Sequence, residues 1–350
     1  MLVTLTQHLA AANDLSAGQI QTAVELLTDE TIAAQVKADF LIGLALKGET
    51  PDEIAAFAAA LREKSVPPPL DAETRAREIL DVVGTGGDHL STFNISTTTA
   101  ILCAAAGVTV AKHGNRAVTS SVGSADVIEA LGIRVDLSPA EAAHALRDHG
   151  FAFFFAPNFH PAFKHIAPAR KLCAARGQRT IFNILGPLLN PARPTAHLVG
   201  VPRPELCAPM ARALQALGAR RGMVVSGQIG NRQSAIGNCL DELSTLGATH
   251  IAEFYQARGF STSVLSPENF PLQPATLADL RGGDKFVNAE IIRRILRGDE
   301  RGPKRDAVLL NAGAALLVAG KTRSVAAGWE LAGETIDSGR AGKKLTELAG

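Results

Sequence analysis

The 350-residue chain carries 35 Lys+Arg against 34 Asp+Glu, a formal net charge of +1, with 46% hydrophobic and 20% charged residues. That apolar fraction excludes a disordered chain, and the charge balance argues against a protein that coats DNA or RNA through a basic face. Aromatics are 5% of the residues, with a single Trp (Trp329) and a single Tyr (Tyr255), too few for a platform that stacks single-stranded nucleic acid.

The N-terminal stretch reads as helices only. Ser16 and Gln19 form a capping-box pattern ahead of Ile20, Val24 and Leu27 at helical spacing. A second helix is predicted from about Thr28, with Ile32, Val36, Phe40, Leu41 and Leu44 on one stripe and Gly48 at its end. A third opens at Thr50-Pro51-Asp52-Glu53, with Thr50 as cap and proline at the first helical position. It must stop before Pro67-Pro68-Pro69, a stiff linker.

Beyond the linker the period changes. Ile79 to Val83 reads as a buried strand, followed by a Gly-rich loop and a helix from about Ser96 to Ala106. Val108 to Ala111 is a second strand, and a polar loop leads to a helix from about Ser124 to Gly132. Ile133 to Asp136 is predicted as a third strand. The capping box Ser138-Pro139-Ala140-Glu141 then opens a helix that stops at Gly150, before a fourth strand, Phe151 to Phe155. The strands Leu198–Val201 and Met223–Val225 flank a helix over Glu205–Leu217. Such alternation predicts an α/β fold with a largely parallel sheet. Helix-rich stretches from His160 to Asn190 and after Asn288 interrupt it.

The four cysteines, Cys103, Cys173, Cys207 and Cys239, are too scattered for a zinc knuckle or a redox dithiol and read as buried reduced thiols. Met1 to Ala12 lacks a basic leader pattern. The longest apolar run, Val308 to Ala319, is short for a membrane span and is broken by Asn311. A cytoplasmic protein without membrane contact is expected.

Four constellations are candidates for chemistry, the first two reading otherwise as a tight strand–helix turn with a Ser/Thr cap and a solvated polar loop. In Asp81-Val82-Val83-Gly84-Thr85-Gly86-Gly87-Asp88 a strand delivers the chain into glycines that let backbone N–H groups approach a ligand. Ser91, Thr92, Asn94, Ser96 and Thr97 follow at a helix N-terminus, which favours an anion. The third glycine of a dinucleotide fingerprint would fall on His89, and no Gly-Lys-Ser/Thr follows, so neither of those two motifs applies. The second constellation is Lys112-His113-Gly114-Asn115-Arg116, with Thr119, Ser120, Ser121, Gly123 and Ser124 beyond it. In a parallel sheet this loop faces the glycine loop across one crevice. The third runs from His160-Pro161-Ala162-Phe163-Lys164-His165 to Arg170; the two histidines are five apart, off one helix face, and most of these cations read as surface residues. The fourth is Asp241-Glu242, after the Gly/Asn/Ser-rich loop Ser226–Cys239; these are hard oxygen ligands suited to Mg²⁺, or solvated acids.

Together these motifs resemble the anthranilate phosphoribosyltransferase family. The likeness also takes in Ser120-Ser121-Val122-Gly123-Ser124-Ala125-Asp126, Arg179 to Leu188 and Ile336-Asp337-Ser338-Gly339, and so runs over nearly the whole chain. It implies transfer of phosphoribose from 5-phosphoribosyl diphosphate (PRPP) to the amine of anthranilate, in tryptophan biosynthesis, with Mg²⁺. It implies a small all-helical domain plus a large α/β domain of the nucleoside phosphorylase/phosphoribosyltransferase-like kind, and a homodimer formed through the helical domain. Residues 1–70, joined by helices from about 160–190, would form the small domain, and residues 78–159 with 191–350 the large PRPP-binding one.

By the same resemblance, Gly84, Gly87, Asp88, Thr92, Asn94, Ile95, Ser96 and Thr97 would hold PRPP. So would Lys112, His113, Gly114, Asn115, Arg116, Ala117, Val118, Thr119, Ser120 and Ser124. Ser96, Asp241 and Glu242 would ligate Mg²⁺. Gly84, Asn115, His113, His160 and Arg170 would meet anthranilate, Arg170 through its carboxylate. No residue is assigned as general base. Phe163 stands where some relatives carry Tyr, and the loop Ser226–Cys239 is longer than usual. A pyrimidine nucleoside phosphorylase shares the implied fold but has no need of a diphosphate–Mg²⁺ site. A non-catalytic nucleic-acid-binding paralogue should show a basic excess, which a net charge of +1 does not supply.

Overall fold

A computed structural model of the chain describes residues 1–117, 122–230, 239–256 and 258–350. The first helices are Leu2–Ala10, Ala17–Thr28, Ala34–Lys47 and Pro51–Glu63, and Ala17–Thr28 and Pro51–Glu63 open at their capping boxes. Ser16 accepts from the N–H of Gln19 at 3.3 Å while the Gln19 side chain accepts from the N–H of Ser16 at 2.8 Å. Thr50 and Glu53 repeat the arrangement, at 3.2 and 2.9 Å. Each such cap contributes about 1 kcal/mol. The helix expected from about Thr28 starts at Ala34. Asp29 Oδ1 accepts from both the N–H and the hydroxyl of Thr31, at 2.8 Å each, and this side-chain turn holds the backbone out of the helix.

Among the described residues the sheet has eight strands: β1 (Ile79–Gly84), β2 (Thr109–Gly114), β3 (Phe151–Phe155), β4 (Ala196–Gly200), β5 (Arg221–Gln228), β6 (Cys239–Leu240), β7 (Thr249–Tyr255) and β8 (Gly259–Leu265). Their order is β3-β2-β1-β4-β5-β7-β8, with β6 paired to β5. The first five strands pair in parallel, and β6, β7 and β8 add antiparallel pairs that the sequence reading missed. Ile133–Asp136 is not a strand. Ile133 and Val135 do turn into the core, at 7% and 6% exposure, but the segment has no ladder partner.

Alternate strand residues serve different cores on the two faces of the sheet. Leu80, Val82, Val110, Leu198 and Met223 face helices Ile95–Ala105 and Pro303–Val318. Val199, Val201 and Val224 turn the other way, into a cluster with helix Cys207–Ala216, the N-terminal helices, Ile166, Ala169 and Phe182. The helical N-terminal part and the residues around 166–189 therefore share one apolar core. Between β1 and β4 the order of strands reverses, and the chain leaves these two strands at Gly84 and Gly200, which are register partners. A ligand crevice belongs at such a switch point.

Candidate active site

The two glycines at the switch point are set by what packs on them. A Cβ on Gly84 would lie 2.6 Å from Asp241 Oδ2, and one on Gly200 only 1.5 Å from the Asp241 carbonyl oxygen. The acidic pair that follows β6 therefore docks directly against the ends of β1 and β4. Asp241 Oδ2 accepts from the N–H of Gly86 at 2.6 Å, and Glu242 Oε1 accepts from the N–H of Ser96 at 3.0 Å, the first turn of helix Ile95–Ala105. The glycine loop, the helix N-terminus and the acids thus converge. Gly86 adopts φ +72°, and His89 and Ser91 also take positive φ, near +57° and +55°. Non-glycine residues rarely adopt this conformation, and Ala12 and Arg193 share it elsewhere in the chain. The loop is tied down where Phe93 donates its N–H to Leu280 and Gly282 donates to Ser91, each at 3.0 Å.

These acids are buried together. Both Asp241 and Glu242 are 8% exposed. Burial, then the neighbouring Asp88 and Glu242, hold the Asp241 carboxyl well above the usual carboxylate range. Burial likewise pushes Glu242 up to about 8, against the pull of Lys112 and the hydrogen bonds from Ser96. Asp88 Oδ2 is buried without a partner. A cluster of carboxylates raised in this way is relieved by a cation. Among the described residues no three His, Cys, Asp or Glu side chains form a complete metal cage. The set on offer is two or three hard oxygen donors with room for ligand oxygens and water, which suits Mg²⁺.

The pleat of β2 separates two functions. Lys112 shares the face of Val110 and is 1% exposed; its ammonium donates to the Val82 carbonyl at 2.7 Å, and burial lowers its basicity against the pull of Asp81 and Glu242. His113 points the opposite way, toward the segment 160–190. Its Nδ1 lies 3.3 Å from the Gly186 carbonyl, and its ring centroid is 5.3 Å from that of His160. From there rings follow one another: His160 to Phe163 at 5.1 Å, then Phe163 to Phe182 at 5.8 Å edge-on. The Arg170 guanidinium lies 5.4 Å from the Phe182 centroid. Among the described residues no carboxylate comes within 4 Å of it. Burial lowers its basicity. Burial also lowers His113 to about 3 and His160 to about 4, so both are neutral near pH 7. The Nε2 atoms of both are buried without a hydrogen-bond partner.

The sequence reading treated most cations of this stretch as surface residues, with the two histidines off one helix face. His160 is 4% exposed, and the segment is broken: a 3₁₀ turn over Pro161–His165 precedes the helix Ala167–Ala175. Lys37, itself 1% exposed, fixes that turn by donating to the His165 carbonyl at 2.9 Å.

Of the other expected PRPP residues, Asn94 accepts from Asn288 Nδ2 at 3.0 Å. Asn115 Oδ1 accepts from the N–H of Arg116 at 2.8 Å. Gly114 is required because a Cβ there would sit 2.1 Å from Ser124 Oγ. Thr92 bridges to Arg281. Gly87 packs near Pro202, and Thr97 is buried with its hydroxyl unpaired. The guanidinium of Arg116 is held by Asp126 at 3.0 Å and Glu129 at 3.1 Å. Ala117 donates its N–H to Asp126 at 3.1 Å. Val118, Thr119 and Ser120 lie outside the described residues, as does most of the long loop before β6. Cys103, Cys173 and Cys207 are buried thiols as expected, whereas Cys239 is half-buried. Asp337 pairs with Arg305 at 2.9 Å, a contact between helices.

Supporting residues escaped the sequence reading. Asn190 Nδ2 donates to buried Asp81 at 2.9 Å and to the Ala111 carbonyl at 2.7 Å, locking β1 to β2 below the loops. Asn311 accepts from the N–H of Leu243 at 2.9 Å and donates to its carbonyl at 3.0 Å, gripping the residue after Glu242. The signal was legible: an amide within an apolar helix is buried only if it is satisfied.

Residues 76–342 match the glycosyl transferase family a/b domain, and residues 3–65 match the helical bundle domain of that family. The anthranilate phosphoribosyltransferase of Trichlorobacter lovleyi is 43% identical over 348 residues, covering 96% of this chain and 95% of its own. The crystal structure of anthranilate phosphoribosyltransferase from Thermus thermophilus is 42% identical with a TM-score of 0.87, covering 99% of this chain and 98% of that one. The Saccharomyces cerevisiae enzyme in complex with PRPP and Mg is 28% identical with a TM-score of 0.85, covering 99% and 96%. The same yeast enzyme has a structure in complex with 4-fluoroanthranilate.

Proposed function

This chain belongs to the anthranilate phosphoribosyltransferase family, and we infer that its cleft transfers the phosphoribosyl group of PRPP to the amine of anthranilate, giving N-(5-phosphoribosyl)anthranilate and diphosphate. The observation that carries the division of labour is the β2 pleat, which aims Lys112 at the acid side and His113 at the aromatic track.

The glycine loop, Asn94 to Thr97 and the loop after β2 receive the phosphates and ribose, offering backbone N–H groups and a helix N-terminus. Ser96, Asp241 and Glu242, with Asp88 beside them, would hold Mg²⁺, which when bound supplies positive charge to the departing diphosphate. Lys112 adds a fixed cation on the same side. On the other side His113, His160, Phe163 and Phe182 line the entry of a flat aromatic acid. Arg170 meets its carboxylate, a planar fork against a planar anion. The arylamine is neutral and already nucleophilic, so orientation toward the anomeric carbon does most of the work and no side chain is assigned as general base. The C–O bond to diphosphate breaks as the C–N bond forms, and the amine then sheds a proton.

We read residues 1–70 with about 160–190 as the small domain and the rest as the PRPP-binding domain, the cleft lying where they meet. Val3 and Leu46, 56% and 73% exposed on the N-terminal helices, support a homodimer through that face. Among the described residues no helix is long and apolar enough to cross a membrane, and we place the enzyme in the cytoplasm.

The test is the loss of anthranilate fluorescence on addition of PRPP and Mg²⁺. Arg170→Ala is expected to raise the KM for anthranilate at least about tenfold while leaving the KM for PRPP within about twofold, since one charge-assisted bidentate contact is worth roughly 1.5–3 kcal/mol. Unchanged anthranilate kinetics would remove Arg170 from the site.

A further inference from the structure

We propose that a second anion site lies at the far end of the sheet, built to take the phosphoryl group of a small molecule. Glu78 immediately precedes β1, β5 begins at Arg221, and antiparallel β7 ends at its partner Tyr255. These ends border a half-open cavity of about 360 Å³ lined by Arg220, Arg221, Arg258 and Arg323. The run from Glu78 to Gly84 is about 20 Å at the usual strand rise, so this cavity is separate from the catalytic crevice.

Its charges do not balance from within. Glu78 is the sole acid among the described residues that line it. That carboxylate is already shared: it accepts from Arg220 Nη2 at 3.2 Å, lies 3.7 Å from Arg221 Nε, and accepts from the Thr195 hydroxyl. The Arg220 Nε is nonetheless buried with no hydrogen-bond partner. Arg258, whose guanidinium lies 5.9 Å from the Tyr255 ring centroid, and Arg323 have no carboxylate within 4 Å among the described residues. Gly320, at φ +72°, closes the floor; a Cβ there would meet Arg221 Nη1 at 2.5 Å, so the turn seats that guanidinium directly against bare backbone. Guanidinium forks converging on a concavity match the oxygens of a phosphoryl group, which several of them can share. The volume suits a compact ligand such as inorganic phosphate, diphosphate or a sugar phosphate.

The test is isothermal titration of the full-length protein with inorganic phosphate, diphosphate and ribose 5-phosphate, in Mg²⁺-free buffer at constant ionic strength. Wild type is compared with the Arg258→Gln/Arg323→Gln double variant, both positions being exposed. Wild type is expected to show a saturable set that the double variant weakens by about tenfold or more, while kcat and both KM values stay within about twofold. Preference for ribose 5-phosphate over the inorganic ions identifies a phosphate ester as the occupant, and the reverse preference an inorganic one; either supports the site. Identical isotherms for the two proteins overturn the proposal. So does equal competition by chloride, which marks the arginines as unspecific surface charge.

Discussion

Asn311→Leu isolates the support of the acidic pair. In the native protein the Asn311 amide is fully buried and makes three hydrogen bonds, two to the backbone of Leu243 and one from Nδ2 to the Ala307 carbonyl at 2.9 Å. Leucine has nearly the same volume, so packing is kept. The N–H and carbonyl of Leu243 are then buried without that partner. At about 1–3 kcal/mol for each stranded group, the variant should lose about 2–6 kcal/mol of stability. Glu242 and Asp241 lose their anchor on one side, and loss of such a support typically lowers metal affinity about 10- to 100-fold. Urea unfolding followed by Trp329 fluorescence measures the first effect. Initial rates against Mg²⁺ concentration at saturating substrates measure the second. A variant that is destabilised yet shows the wild-type half-saturation for Mg²⁺ would refute the clamp, because the amide would then serve the fold alone.

Gly200→Ala should lose at least about 100-fold in turnover. Its Cβ would collide at 1.5 Å with a backbone carbonyl, which cannot swing aside as a long side chain does, so Asp241 must move. Gly18→Ala is the matched control: a Cβ there meets nothing within 4 Å, so it should stabilise helix Ala17–Thr28 by about 0.5–1 kcal/mol with unchanged rates, both read from urea curves and the fluorescence assay. A third prediction concerns pH. Burial holds His197 at about 3, against 6.5 for an unperturbed histidine. As pH falls below 6.5 the unfolded chain takes up this proton and the native protein does not, so stability declines by about 1.4 kcal/mol per pH unit from this group. His197→Phe should flatten the fall between pH 6 and pH 5 by that amount; an unchanged slope would show that the ring is protonated in the folded state.

Much of the site was legible because its loops rely on residue types with little freedom. A strand running into Gly84, Gly86 and Gly87 and a helix opening at Asn94 advertise an anion crevice whatever packs around them. The hairpin of β7 and β8 was not legible for a physical reason. β8 is an exposed edge strand rich in Ser and Thr, so it carries no apolar stripe for periodicity to detect. Ile133–Asp136 failed in the opposite sense: its alternation reports burial correctly, but burial does not make a ladder.

Charges were the least legible feature, since a cation's availability depends on partners that sequence does not place. Lys112 and Arg116 sit four residues apart in one loop motif and read alike. The pleat buries Lys112 beside Glu242, where a fixed ammonium acts in low dielectric and gains most from an incoming anion. Arg116 lies two residues beyond the strand, half-exposed, and the next helix presents Asp126 and Glu129 to it. An anion that recruits Arg116 must compete with two carboxylates already in place, whereas one that meets Arg170 displaces no carboxylate among the described residues. The same distinction separates Arg258 and Arg323 in the far cavity from Arg220 and Arg221 beside them, which share Glu78.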